Sequence, residues 1–331
     1  MPELASGPSA ITRAVALLQA GELIGLPTET VYGLAADASN PDAVRKIFAA
    51  KGRPADHPLI VHLGADDLLT RYARDVPEAA WLLAEAFWPG PLTLILKKAP
   101  DVPDVVTGGQ DTVGIRIPGH AVALALLRAF AEAHPTGGGI AAPSANKFGR
   151  ISPTAARHVA AELGDAVSLI LDGGDCQVGI ESTILDLSRG APVILRPGAI
   201  TAEQIELVLG QVVSTITPTE SAPRVSGSLA SHYAPLTPLT VLPLNQMAAF
   251  LQTPGNAAIV RDCPALPEAL RQHPAVQVLS DQPAQYAHDF YRVLRELDAG
   301  GYQHLYIQSL PETAAWLAVR DRLGRAAHRA D

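Results

Sequence analysis

The chain has 331 residues, 48% of them hydrophobic and 18% charged, with a formal net charge of -8 at pH 7. This composition predicts a globular protein with a large core, and it excludes a surface that is basic throughout, so any contact with nucleic acid must be local. No apolar run reaches the roughly 18 residues needed to span a bilayer. The first ten residues lack the basic and apolar parts of a secretion signal, so we expect a cytoplasmic protein without a membrane partner.

Metal and nucleotide signatures are missing. The two cysteines, Cys176 and Cys263, lie far apart and have no zinc-ligand spacing around them, so we expect both to be packing residues and expect no protein-bound metal. The sequence also contains no GxGxxG, GxxxxGK[ST], HExxH or GxSxG. Neither a dinucleotide-dependent dehydrogenase nor a P-loop NTPase is therefore indicated.

Short β-like runs dominate the first two thirds of the chain. They lie at residues 22–29, 58–63, 92–98, 112–118, 139–146, 168–174, 182–188 and 192–198. Helical segments fall among these runs without strict alternation. The pattern predicts an α/β domain on a mixed, twisted sheet and disfavours a simple doubly wound fold.

Some of the helical segments have clear start signals. Asn40 and Pro41 supply an N-cap and a first-turn proline, and Ser152 and Pro153 repeat that pair. A third helix begins at Thr201, where the spacing is that of a capping box, and it ends before a glycine. These signals predict three helices with defined first residues.

The composition changes twice along the chain and predicts three parts. Residues 1–210 form the mixed-sheet domain. Residues 211–238, rich in Pro, Ser, Thr and Gly, form an extended connector, and a loop of that length is typical of a lid or a binding segment. Residues 239–331 repeat a β-α pattern four times, which predicts a small Rossmann-like parallel sheet flanked by helices.

A basic segment stands out in this acidic chain. Lys51 and Arg53 lie one residue apart with Gly52 between them, and His57 and His62 follow around a short apolar run. Two cations at that spacing point to the same side of an extended segment, which is suited to holding an anion. The alternative is a solvated basic turn.

Polar residues also follow several apolar strands. The segments are "PTETVYG", "DTVGIRIP", "APSANKFGRIS", "VGIESTILDL" and "VILRPG". Ligands bind at strand ends in open α/β sheets, so these segments predict one polar cleft. Each also has a simpler interpretation. The polar residues of "PTET" could satisfy a turn, Arg116 and Arg196 could be paired surface charges, and Ser144 and Asn146 could form local turns.

Taken together, these segments resemble the YrdC/Sua5 family of threonylcarbamoyl-AMP synthases. The paired KxR and SxN signatures carry the resemblance, here Lys51, Arg53, Ser144 and Asn146, together with "PTETVYGL" and "GIESTILDL". The alternating region after "SHYAP" resembles the extra domain of the longer, Sua5-type members. The likeness extends from about residue 9 to 328.

The resemblance implies a YrdC-like fold and a synthase that makes threonylcarbamoyl-AMP and pyrophosphate from L-threonine, bicarbonate or CO2, and ATP, for the t6A37 modification of tRNA. It assigns L-threonine to Thr30, His62, Arg116, the backbone around Ala142, and Ser182. It assigns ATP to Lys51, Arg53, His57, Thr112, Ser144, Asn146, Ser152 and Arg196, with Tyr233 reaching in from the connector. His57 stands where many relatives carry Asn, so a charge or pH effect is an open question there.

The implied chemistry is positioning and charge neutralisation. Lys51 and Arg53 would stabilise the phosphates, Mg2+ would travel with ATP, and no residue is assigned as acid or base. An unstable product implies hand-off to a tRNA threonylcarbamoyltransferase, with local tRNA contact left open.

Two other interpretations stay open on the sequence. One is a related carbamoyl-adenylate-forming carbamoyltransferase, although the zinc-finger-like and acylphosphatase-like segments of such chains are not visible. The other is an RNA-binding module of the same fold, in which Lys51 and Arg53 would contact backbone phosphates.

Overall fold

The computed structural model describes residues 2–135, 138–215, 222–251 and 253–328. The chain divides into two compact units. Unit 1 comprises the described residues of Met1–Phe148, Pro153–Gln177 and Glu181–Ser228, and unit 2 comprises those of Gly149–Ser152, Val178–Ile180 and Leu229–Asp331. Each unit is therefore assembled from separate stretches of the sequence.

The strands of unit 1 form one large sheet. They are β1 (Glu3–Ala5), β2 (Ile24–Leu26), β3 (Gly33–Asp37), β4 (Ile60–His62), β5 (Leu92–Lys97), β6 (Thr112–Arg116), β7 (Ile140–Ala141), β8 (Leu169–Leu171), β9 (Thr183–Asp186), β10 (Val193–Arg196) and β11 (Ser214–Thr215). Their order across the sheet is β1-β8-β2-β3-β7-β4-β6-β5-β9-β10-β11. Parallel pairs such as β4 and β6 are interspersed with antiparallel pairs such as β5 and β6, as expected for a mixed sheet.

Helices cover both faces of this sheet. They are α1 (Pro8–Gln19), α2 (Pro41–Lys51), α3 (Leu69–Tyr72), α4 (Glu78–Phe87), α5 (Asp104–Thr107), α6 (Ala121–Ala133), α7 (Ala156–Leu163) and α8 (Ala202–Leu209), with 3-10 turns at Asp66–Leu68 and Gly164–Ala166. Ile47 of α2 packs in one core with Leu34, whereas Phe130 of α6 packs in a second core with Ala35. Because Leu34 and Ala35 are neighbours on β3, the two cores lie on opposite faces of the sheet.

Each of the predicted β-like runs contains a strand, but the short edge strands β1 and β11 and the central strand β3 were not predicted. The central strand β3 is the most informative of these. Its sequence, GLAAD, has no β-branched or aromatic residue, so its strand propensity is weak. Antiparallel ladders with β2 on one side and β7 on the other hold it in the sheet. Tertiary pairing, not local preference, therefore makes this segment a strand.

Two of the predicted helix starts are correct. The Asn40 side chain accepts hydrogen bonds from the backbone of the first turn of α2, and α8 has the capping box of Thr201 and Gln204. The third prediction was wrong, because α7 begins at Ala156 and not at Pro153. The backbone there is extended, and its carbonyls are used elsewhere: that of Pro153 accepts a hydrogen bond from Tyr32 N at 2.8 Å.

Unit 2 contains the predicted β-α repeat. Its elements are β12 (Leu239–Leu242), α9 (Leu244–Leu251), β13 (Asn256–Arg261), α10 (Glu268–Arg271), β14 (Val276–Leu279), α11 (Pro283–Ala299), β15 (His304–Gln308) and α12 (Leu317–Ala327), with a 3-10 turn at Ala314–Trp316. The strands form one sheet in the order β12-β15-β13-β14, and every neighbouring pair is parallel. This agrees with the small parallel sheet expected from the sequence.

The connector, residues 211–238, is described at residues 211–215 and 222–238, and residues 216–221 lie outside the described residues. Residues 222–228 belong to unit 1. Arg224 exchanges two hydrogen bonds with the Gln110 side chain, at 2.7 and 3.1 Å, and Val225 is buried against Ile60 and Ile95. Residues 222–228 of the connector are therefore packed onto the unit 1 sheet.

In the part of the chain that the structure describes, no helix is both long and apolar enough to cross a membrane.

Candidate active site

The parallel pairing of β4 and β6 sets His62 beside Arg116 at the ends of the two strands. The Arg116 guanidinium is buried and donates hydrogen bonds to Thr30 Oγ1 at 2.9 Å and to the Gly90 carbonyl at 3.1 Å. Its Nη2 also lies 2.6 Å from Glu29 Oε1. A buried cation is thus held in one orientation by groups from two segments, the turn after β2 and the chain at Gly90, which pre-organises it for a ligand.

The turn after β2 supplies two of those groups, Glu29 and Thr30. Thr28 Oγ1 donates to the Val31 carbonyl at 2.6 Å and accepts from the backbone N–H groups of Thr30 and Val31. Thr28 therefore satisfies the turn, as its simpler interpretation suggested. The Thr30 hydroxyl lies 2.9 Å from Thr28 Oγ1 and receives the Arg116 bond, so Thr30 connects the turn to the guanidinium.

The buried environment keeps the His62 side chain neutral. Burial, followed by the Arg116 cation, lowers the pKa of His62 from 6.5 to about 3. Its Nδ1 has no hydrogen-bond partner among the described residues. Ala142, the backbone position predicted beside it, donates its N–H to the Ile60 carbonyl at 3.0 Å. An uncharged imidazole thus lies beside Arg116 on the neighbouring strand, and the backbone at Ala142 is bonded to the first residue of β4.

A second group of cations begins at the end of α2. Lys51 is the last helical residue, and Gly52 adopts the left-handed conformation, with a φ of 62°, that ends the helix. The Lys51 ammonium is buried and donates to the carbonyls of Ser144 and Asn146. Burial, followed by the nearby Arg53, lowers the pKa of Lys51 well below its usual value. The KxR and SxN signatures therefore meet in the folded chain.

Arg53 lies on the other side of Gly52. Its Nη2 donates to the Pro58 carbonyl at 3.0 Å and to Ser226 Oγ at 3.1 Å, and the guanidinium lies 5.9 Å from the centre of the Phe148 ring. The His57 ring packs edge-on against the same phenyl ring at 5.3 Å. Burial and the Arg53 cation lower the pKa of His57, which favours its neutral form.

A third cation, Arg196, ends β10. Its Nε and Nη2 donate to the Ser182 carbonyl at 3.1 and 2.9 Å, and Nη2 also donates to Ser182 Oγ at 3.1 Å. Its Nη1 donates to the Ser226 carbonyl at 2.9 Å. Ser182 Oγ lies 2.8 Å from Thr93 Oγ1. One connector residue, Ser226, therefore contacts both Arg53 and Arg196.

The remaining predicted residues are less closely joined to these groups. Thr112 is buried at the start of β6 and lines the same small cavity as Pro58 and Ser226. Ser152 and Tyr233 belong to unit 2. Their assignment to ATP stays a prediction.

Three site neighbours were missed by the sequence analysis: Glu29, Thr93 and Ser226. Glu29 had been interpreted only as a turn residue, Thr93 sits inside an apolar strand, and Ser226 sits among turn formers, so no local pattern distinguishes them. Their roles depend on contacts between distant segments.

The site offers no metal cage or reactive thiol. In the residues that the structure covers, no three His, Cys, Asp or Glu side chains are grouped as a metal site. Both cysteines are buried. Burial, followed by the Glu29 carboxylate, raises the pKa of Cys176, so its thiol stays protonated.

Two family models match nearly the whole chain. The Sua5_yciO_yrdC model, described as telomere recombination, matches residues 16–198, and the model of the threonylcarbamoyl-AMP synthase C-terminal domain matches residues 200–328. The chain belongs to the Sua5/YrdC family.

Full-length relatives refine this Sua5/YrdC assignment. The threonylcarbamoyl-AMP synthase of Bacillus subtilis is 40% identical over 337 residues, covering 98% of this chain and 95% of the relative. That of Pyrococcus abyssi is 38% identical over 328 residues, covering 95% and 92%. The crystal structure of P. abyssi Sua5 complexed with L-threonine matches with a TM-score of 0.88 at 35% identity, covering 99% of this chain and 97% of that one. The predicted Sua5 family, fold class and synthase activity are confirmed.

Proposed function

We propose that the buried cations of unit 1 are the site at which this synthase joins L-threonine, bicarbonate or CO2, and ATP into threonylcarbamoyl-AMP and pyrophosphate, for the t6A37 modification of tRNA. The observation that carries the proposal is the burial of Arg116 in one cluster and of Lys51, Arg53 and Arg196 in another. Buried cations are expensive unless an anion is to be bound. The reaction has two anionic substrates of different shape, a carboxylate and a triphosphate.

The amino-acid side of the site is the cluster around Arg116. A guanidinium that already points its donors in fixed directions suits the carboxylate of L-threonine. The Thr30 hydroxyl, the Nδ1 atom of neutral His62, the backbone at Ala142 and the Ser182 hydroxyl offer the polar partners for the rest of the molecule.

The nucleotide side is the cluster of Lys51, Arg53 and Arg196. In the free protein these cations donate to carbonyls and hydroxyls, which phosphate oxygens could replace with stronger, charge-assisted bonds. The other ATP contacts that we propose from unit 1 are His57, Thr112, Ser144 and Asn146. Phe148, between Arg53 and His57, gives this side an apolar wall.

The chemistry then follows from position. The threonine ammonium loses a proton to water, and the resulting amine adds to CO2 with release of a second proton to water, which gives an N-carboxy anion. One oxygen of this anion attacks the α-phosphorus of ATP. As that P–O bond forms, the bond to the β-phosphate oxygen breaks and its electron pair leaves with pyrophosphate. Lys51 and Arg53 neutralise charge on the phosphates, and no residue is required to form a covalent intermediate.

Mg2+ enters this proposal as part of the ATP substrate. The phosphate-side residues are cations and neutral polar groups, so they suit an ion carried on the triphosphate and water better than one held in a carboxylate cage. We further propose a cytoplasmic location and hand-off of the labile product to a tRNA threonylcarbamoyltransferase.

The deciding experiment is an assay of pyrophosphate release with ATP, Mg2+, bicarbonate and labelled L-threonine. We expect release that depends on threonine and a labelled adenylate in equal amount. Release that is indifferent to threonine would overturn the proposed reaction, and salt-sensitive RNA binding without release would favour the RNA-binding alternative.

A further inference from the structure

Glu29 is a buried carboxylate that none of the threonine or ATP assignments uses. The residue is 6% exposed. Its Oε1 lies 2.6 Å from Arg116 Nη2, while its Oε2 is buried and has no hydrogen-bond partner among the described residues. Burying an ionised oxygen without a donor costs several kcal/mol in general terms, so such groups are uncommon unless they bind something.

The surroundings of Glu29 do not satisfy that oxygen. The adjacent hydroxyls, Thr28 and Thr30, bond to one another, to the turn backbone and to Arg116. Arg116 donates hydrogen bonds to Gly90 and Thr30, while its Nη2 lies at ion-pair distance from Glu29 Oε1 and, like both Glu29 oxygens, makes no hydrogen bond within the described residues. A guanidinium has five N–H donors, so Arg116 retains capacity for a carboxylate while Glu29 retains capacity for a donor.

Arg116 and Glu29 carry opposite charges, and each can form further hydrogen bonds. Such a pair is complementary to a zwitterion, which carries one carboxylate and one ammonium group. We propose that Glu29 binds the α-ammonium group of L-threonine while Arg116 binds its carboxylate. This rests on the proposed threonine site. The Glu29 carboxylate, the threonine ammonium, the threonine carboxylate and the Arg116 guanidinium would then alternate in sign, so that each buried charge has an opposite neighbour.

This assignment makes Glu29 a specificity residue. A ligand with the carboxylate and the hydroxyl of threonine but no ammonium would leave Glu29 Oε2 without a hydrogen-bond donor. A site built to pair a charged donor rejects an analogue that lacks it, because the buried partner stays unsatisfied. Glu29 would thus distinguish amino acids from hydroxy acids.

The test compares two ligands by calorimetry, L-threonine and 3-hydroxybutyrate, which keeps the carboxylate and the hydroxyl. For wild type we expect threonine to bind more tightly. Glu29→Gln should weaken threonine binding about 10- to 100-fold, in line with the loss of a charge-assisted hydrogen bond, and should change 3-hydroxybutyrate binding less than about threefold.

Equal losses for both ligands would mean that Glu29 only orients Arg116, and an unchanged threonine affinity would remove Glu29 from the pocket; either result overturns the assignment. Wild-type protein that binds no threonine would instead overturn the proposed function. Asp37→Asn is the matched control, since Asp37 is a buried carboxylate of unit 1 bonded to Ser39, and we expect it to leave both affinities unchanged.

A measurement on wild type keeps the test independent of how Glu29→Gln folds. With 15N-labelled L-threonine bound, the ammonium protons should show a nuclear Overhauser effect to the Glu29 side-chain protons. A bound ammonium signal with effects only to other residues would overturn the proposal.

Discussion

The two units bury arginine in different ways. In unit 1, Arg53 and Arg196 reach across to the same connector residue, Ser226, and Arg116 is held by groups from two separate segments. In unit 2, Arg322 is 0% exposed, pairs with its sequence neighbour Asp321 at 2.7 Å, and lies 5.5 Å from the centre of the Tyr233 ring.

This difference separates a binding role from a packing role. A cation paired within its own helix and stacked on an aromatic ring is neutralised locally and adds to the core. Cations drawn from several strands and loops toward shared polar partners create a region of positive potential, which is the usual property of an anion site. Substitution of the unit 1 arginines should therefore lower substrate binding and activity, whereas substitution of Arg322 should lower stability.

The largest expected effect is on Arg53. Arg53→Ala should lower kcat/KM about 1000-fold, or about 4 kcal/mol, because a buried partner of the triphosphate is removed. ATP affinity should fall more than threonine affinity, as measured by calorimetry. Arg45→Ala is the control, since Arg45 lies on the exposed face of α2 in an ion pair with Asp42. Equal losses for both substrates in a folded variant would contradict the phosphate assignment.

Arg322 should show the opposite behaviour. Arg322→Met should lower the free energy of unfolding by about 3 kcal/mol, because the buried pair is broken and the tyrosine loses its cation. Urea unfolding followed by Trp316 fluorescence measures this. Arg271→Ala, which breaks an exposed pair with Asp262, should change stability far less. A stable Arg322→Met variant that fails to bind ATP would erase the distinction between the units.

Ser182 tests the proposed amino-acid side of unit 1, although it also accepts hydrogen bonds from Arg196. Ser182→Ala should weaken threonine binding by about 1 to 3 kcal/mol if a buried ligand group is left unpaired, with a smaller effect on ATP because the Ser182 carbonyl still accepts from Arg196. Ser188→Ala is the control, since that hydroxyl bonds only to Asp186 in the described contacts. Unchanged threonine affinity would move Ser182 out of the pocket.

His62 predicts how unit 1 responds to acid. Its pKa is about 3 in the folded chain against 6.5 for the free side chain. Between these values the unfolded chain binds a proton that the folded chain does not, so stability falls as the pH falls below 6.5. The loss amounts to about 2 kcal/mol by pH 5.

His62→Gln should lack this part of the acid sensitivity, measured as the difference in unfolding free energy between pH 7 and pH 5. Exposed His328→Gln should follow the wild type. A His62 ring that titrates near pH 6.5 by NMR would contradict the neutral form assigned here.

The sequence predicted more of unit 2 than of unit 1, for physical reasons. In unit 2 the strands alternate with helices and pair in parallel, so local periodicity was enough. In unit 1, β3 has no β-branched or aromatic residue, and its position follows from pairing with the preceding strand β2 on one side and with β7, which is distant in the sequence, on the other. The helix predicted from Pro153 failed because Tyr32 bonds to that residue's carbonyl.

The candidate site shows the same division. The KxR and SxN signatures were visible in the sequence because each is a short motif, and the structure brings Lys51 to the carbonyls of Ser144 and Asn146. Glu29 and Ser226 were not recognised in the sequence, because no motif surrounds either residue. Glu29 becomes notable only through its ion-pair distance to Arg116, and Ser226 only through its hydrogen bonds with Arg53 and Arg196.

The position of Ser226 also bears on the order in which the protein is made. A chain leaves the ribosome from its N-terminus, and domains fold as their last contacts become available. Arg53 and Arg196 emerge before Ser226, whose hydroxyl and carbonyl are among their partners. The proposed nucleotide side of the site therefore gains this shared partner only when the connector has been translated, after all the described strands of unit 1. A nascent chain that ends before Ser226 has Arg53 and Arg196 without the residue that contacts both.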